Sequence, residues 1–66
     1  MDDEAKARVE EELDELRERM NKLYKFAYSD KIHKLSWNAA GLLQAQIYIM
    51  DAYADILIAR LNCWNK

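Results

Sequence analysis

The chain has 66 residues, 33% of them charged and 52% hydrophobic, with a net charge of −2, one glycine, no proline and one cysteine. That length holds one small domain, which buries only about 60% of the surface its unfolded chain exposes and so needs a staple such as oligomerisation. A lone Cys63 rules out an intramolecular disulfide, and the charge balance lacks the basic excess of a duplex nucleic-acid binder.

The first segment, residues 3 to 28, reads as a helix with a narrow apolar seam. Val9, Leu13, Leu16, Met20, Leu23 and Ala27 recur at spacings of four and three, the pattern of a helix packed against one other helix. Asp2 or Asp3 can cap its start, and Glu4 and Glu10 to Glu12 lie towards the positive end of its dipole. Residues 1 to 22 hold nine acids and five bases. Pairs four residues apart, Arg8 with Glu12, Glu15 with Arg19 and Glu18 with Lys22, suit a solvated outer face. The carboxylates Glu10, Glu11, Glu12, Asp14, Glu15 and Glu18 belong to that face.

Residues 29 to 36 read as a connector. Ser29 and Asp30 are capping residues after an aromatic cluster, and Ser36 can cap a helix starting at Trp37. Ile32 and Leu35 imply a short helical turn whose apolar side plugs the end of a hairpin. Residues 23 to 36 carry three bases and one acid, so positive charge gathers at the bend.

Residues 37 to 64 read as a second helix, apolar around most of its circumference. At about 100° per residue, Gln44, Asp51, Asp55 and Asn62 fall on one narrow strip with Tyr48, and Gln46 and Arg60 are the other polar positions. A helix against one neighbour needs an apolar arc of only about 100°. One partner helix therefore leaves a strip uncovered, either Leu43, Ile47, Ala54, Ile58 and Leu61 or Ala45, Ala52, Ile56 and Ala59. A strip of that kind marks an interface. The fold class expected is all-α, an antiparallel two-helix hairpin assembling into a helical-bundle homo-oligomer, a dimer or a tetramer. Its expected interface comprises Leu43, Ile47, Met50, Ala54, Leu57, Ile58, Leu61 and Trp64. Gly41 weakens the helix start and reads as tolerated. The acids of the polar strip, with Arg60 opposite, speak against a membrane span, and the acidic start lacks the positive region of a secretory signal. The protein is expected in the cytoplasm.

Chemistry-bearing constellations are sparse. His33 and Cys63 stand at opposite ends of the second helix, too far apart to act as a nucleophile and base within one subunit. No metal-ligand spacing and no phosphate loop occur, so no catalytic residue, metal or cofactor is expected and the protein does not read as an enzyme. Two groups of residues remain as candidate ligand-binding positions. Gln46, Tyr53 and Arg60 form a row seven residues apart on an apolar face. That row either fixes helix register, with Arg60 paired to an acid such as Glu10, or lines a polar cavity between subunits. Around the bend, Tyr24, Lys25, Tyr28, Lys31, His33, Lys34 and Trp37 combine point charges for phosphate with aromatic faces for bases. The plainer alternative is a positively biased loop with Tyr28 and Trp37 packing the hairpin end.

The run Glu12-Leu13, Leu16, Met20, Lys22-Leu23, Phe26, Ser29, Ile32, Leu35, then Leu42-Leu43, Gln46, Met50, Tyr53, Leu57 and Arg60-Leu61 resembles a widespread family of short helical phage proteins related to a crAss-like phage product. The resemblance covers residues 12 to 61 and departs at Trp37-Asn38-Ala39-Ala40-Gly41, where more charge would be expected. It implies a phage accessory product, acting in the cytoplasm of an infected bacterial cell, and supplies no activity. The layout is also similar to phage helical-hairpin sponges that oligomerise and sequester cyclic-nucleotide immune signals. Two functions follow as expectations. One is counter-defence by binding a small nucleotide ligand in a homo-oligomer, with Lys31, Lys34 or Arg60 on phosphate and Tyr28 or Trp37 stacking. The other is inhibition of a host defence protein through the acidic face of the first helix, without a small ligand.

Overall fold

The computed structural model describes residues 3–64, so Asp2, one of the two candidate caps, lies outside the described residues. These residues form a helix α1 over Asp3–Ala27, a 3-10 turn over Asp30–Lys34 and a helix α2 over Trp37–Trp64. No strand occurs among them. The chain is an all-α hairpin.

In α1 the narrow seam becomes the core face. Val9, Leu13, Leu16 and Met20 are buried, while Leu23 and Ala27 are half-buried near the bend. The ion pairs on the outer side differ in two cases from the sequence expectation, since Glu15 and Arg19 form no ion pair among the described residues. Arg8 donates to Glu4 at 3.0 Å, one turn towards the N-terminus, in place of Glu12. Either acid is one helical turn away, and no burial constrains so exposed a guanidinium. Lys22 and Glu18 stand 3.8 Å apart as expected.

Two serines make the bend without proline or a left-handed residue. The Ser29 hydroxyl donates to the Phe26 carbonyl at 2.7 Å and accepts from the Lys31 amide at 3.3 Å, closing α1 and opening the 3-10 turn. The Ser36 hydroxyl accepts from the Ala39 amide at 3.1 Å and its carbonyl accepts from the Ala40 amide at 2.9 Å. These bonds satisfy amides that the first turn of α2 would otherwise leave unpaired. Ile32 and Leu35 are half-buried against the hairpin end.

From α2, Ala54 and Leu57 complete the core, Leu57 with 0% of its surface exposed. Tyr24, Met50, Ile58, Leu61 and Trp64 pack around them. The result is a rod of 48 × 15 × 13 Å with a radius of gyration of 15.1 Å, against about 11 Å for a compact domain of this length. A two-helix rod has one line of contact and almost no interior. Leu42, Tyr48, Ile49, Tyr53 and Ile56 consequently stay exposed on α2. By length and composition α2 is also apolar enough to cross a membrane, with 11% of its most apolar window buried in the hairpin.

Candidate functional site

Towards the bend, α1 and α2 leave a hollow between them. It is lined by Tyr24, Ala27 and Tyr28 of α1, Ile32 of the 3-10 turn, and Ala40, Leu43, Gln44, Ile47 and Tyr48 of α2. Its volume is about 310 Å³, at the lower end of the range of small-molecule sites, about 300–1,000 Å³. The hollow exists because the small side chains Ala27 and Ala40 face each other's helices where the core has already ended. The polar side chains among its lining residues are those of Tyr24, Tyr28, Tyr48 and Gln44, and none of the lining residues is charged. Such a lining offers aromatic faces for stacking and a few directional donors and acceptors.

Of the bend residues singled out from the sequence, Tyr28 lines the hollow and stands 88% exposed at its edge. Lys31, His33 and Lys34 are exposed on the turn that supplies Ile32, so they border the hollow without entering it. Trp37 is 95% exposed and contributes nothing to the lining, which leaves it no role in packing the hairpin end. Tyr24, also singled out around the bend, lines the hollow, whereas Gln44 and Tyr48 are residues that sequence reasoning left out of the candidate site. Their signal was present: Tyr24, Tyr28 and Ile32 follow at four-residue spacing, and Gln44 and Tyr48 do the same on the facing helix.

The row Gln46, Tyr53 and Arg60 lies away from the hollow, exposed on the outer side of α2. Gln46 donates only to the Met50 thioether at 3.9 Å, a weak acceptor. Arg60 makes no ion pair among the described residues, so pairing with Glu10 within the chain does not occur. His33 and Cys63 are not brought together either, since most of α2 separates them, about 40 Å at 1.5 Å per residue. Among the described residues no cluster of histidine, cysteine or acids could hold a metal.

The residues expected between subunits also find their places. Ala54 and Leu57 are buried against α1 within one chain, and Met50, Ile58, Leu61 and Trp64 pack on that same core. Leu43 and Ile47 line the hollow. Of the two strips that a single partner could leave bare, α1 covers this one and leaves Ala45, Ala52, Ile56 and Ala59 exposed. The Trp64 indole N–H is buried with no hydrogen-bond partner among the described residues.

A family model described as Sequestin matches residues 3–62, which takes in α1, the bend and nearly all of α2. The chain belongs to the Sequestin family. The name of the Sequestin family speaks of sequestration, and a hairpin with a preformed aromatic hollow agrees with a protein that holds a molecule. No curated protein and no solved structure matches the chain.

Proposed function

We propose that this protein is a phage accessory product that works in counter-defence, sequestering a nucleotide-derived signalling molecule as a homo-oligomer in the cytoplasm of the infected bacterial cell. The observation that carries the reading is the hollow at the bend in a member of the Sequestin family. Tyr24, Tyr28 and Tyr48 give stacking faces for a base, and Gln44 can meet a base edge. Lys31 and Lys34, bordering the hollow, supply positive charge for phosphate where the lining has none. With about 310 Å³ the hollow of one chain takes a nucleoside-sized part of a ligand; walls from a second copy would enclose the remainder.

Calorimetric titration with cyclic di- and trinucleotides and ADP-ribose derivatives tests this. Saturable heat at micromolar protein is expected for at least one of them, weakened about tenfold or more by Tyr28→Ala, given that a stacked base contributes about 1–3 kcal/mol. No heat with any member of the panel removes the reading.

The second reading is an inhibitor or adaptor acting through α1. Glu10, Glu11, Glu12, Asp14, Glu15 and Glu18 are all exposed along one helix, a dense acidic surface that a basic protein could recognise. Retention of a partner from host lysate, lost on Glu11→Lys with Glu15→Lys and indifferent to Tyr28→Ala, distinguishes it.

A further inference from the structure

The outward side of α2 carries a second heptad seam. Leu42, Ile49, Ile56 and Cys63 recur every seven residues, with Ala45, Ala52 and Ala59 between them. The three large aliphatic residues are 72%, 70% and 55% exposed, and the alanines and Cys63 are exposed too. On a helix turning about 100° per residue, this seam lies nearly opposite the row Ile47, Ala54 and Leu61 that faces α1. Its sides are set by Asp55 and Tyr48 on one flank and Tyr53 and Arg60 on the other.

We propose that α2 pairs in parallel with α2 of a second copy along this seam, and that the partner's Tyr53 thereby comes to stand beside Tyr48 at the rim of the hollow. The proposal deepens the sequestration reading and rests on it only for the use made of that rim. Its occupant is a second copy of this chain because the pattern is self-complementary. β-branched Ile49 and Ile56 at the leading heptad position favour two parallel strands, and alanine at the other position lets the backbones approach closely. In a parallel pair, a residue flanking the seam meets the partner residue five positions further on. Asp55 then meets the partner's Arg60, and two-fold symmetry forms the pair twice. Both groups are exposed and neither has an ion pair within its own chain among the described residues. The same five-residue offset carries Tyr48 to the partner's Tyr53. An antiparallel pair along the seam instead brings Arg60 to the partner's Gln46 and leaves Asp55 without a base. A bilayer is the less suitable occupant, since Asp55 and Arg60 flank the seam and would be drawn towards hydrocarbon.

Sedimentation and cysteine cross-linking of the full chain test the pairing without any ligand. Cys63 lies on the seam, so a parallel pair puts the two thiols across the axis from each other, whereas an antiparallel pair separates them by about 30 Å at 1.5 Å per residue. A short bis-maleimide is expected to give a covalent dimer at the protein concentrations where sedimentation shows a dimer. Ile56→Glu is expected to abolish both while circular dichroism keeps its helical signal. Asp55→Arg and Arg60→Asp should each raise the dimer dissociation constant about tenfold or more, and the double exchange should restore it. For the tyrosine contact, Tyr48→Cys and Tyr53→Cys, each with Cys63→Ser, should cross-link when mixed and not alone. A folded monomer at high concentration overturns the proposal, as does a dimer whose Cys63 thiols do not cross-link. Binding of the chain to phosphatidylcholine–phosphatidylglycerol vesicles in place of dimerisation overturns it in favour of a lipid surface. A ligand panel without heat would sink the sequestration reading and leave these results to stand or fall alone.

Discussion

The two helices solve different problems with similar lengths. α1 places its apolar residues on one seam and surrounds it with charge, so a single neighbour satisfies it. α2 has the same seam facing α1, through Ala54 and Leu57, and a further apolar arc facing out through Leu42, Ile49 and Ile56. The lesson is that burial in a two-helix rod is limited by geometry rather than by hydrophobicity. One line of contact buries one arc, however apolar the rest of the helix is.

The sharpest way to break this comparison is to truncate one residue on each side of α2. Leu57→Ala should cost about 2–5 kcal/mol in a denaturant melt, a large share of the 5–15 kcal/mol typical of whole domains, because Leu57 is fully buried. Leu42→Ser should change the stability of the dilute chain by less than about 0.5 kcal/mol, since that side chain already faces water. Equal costs would show that α2 has no inner and outer side within one chain.

The bend that sets the two sides can be weakened next. Ser36→Ala removes the acceptor of the Ala39 amide and is expected to lower stability by about 1 kcal/mol, read as a lower midpoint in urea. An opposite and similar shift is expected at Gly41→Ala. A Cβ there meets nothing within 4 Å, so the gain in helix propensity, up to about 1 kcal/mol, is not offset by a clash. A loss instead would mean that something outside the single chain approaches Gly41 closely. The smallest effect belongs to the outer face of α1. Glu18→Gln should cost no more than about 0.5 kcal/mol and should become silent in high salt, because both partners of the 3.8 Å pair with Lys22 are well exposed.

Much of the candidate site was half-visible in the sequence. The aromatic and basic character of the bend placed Tyr24 and Tyr28 correctly, but side chains next to one another in sequence diverge at a tight turn. Trp37 and the lysines point to solvent while Tyr24 and Tyr48, on facing helices, approach the same hollow. That convergence depends on how far apart the helices stand where Ala27 and Ala40 face inwards, and spacing along one helix carries no such information.

The pattern of residues was enough to determine that the chain is helical, that it turns between Ser29 and Ser36, and that α1 turns Val9, Leu13, Leu16 and Met20 inward. A narrow stripe has only one side to bury, so periodicity specifies it. Which arc of α2 meets that stripe was decided by the packed hairpin, because a helix apolar on most sides offers several arcs of similar hydrophobicity. The choice followed from the orientation the bend imposes and the fit of Ala54 and Leu57 against α1. With it came the exposure of Arg60, the hollow at the bend and the bare seam on the far side.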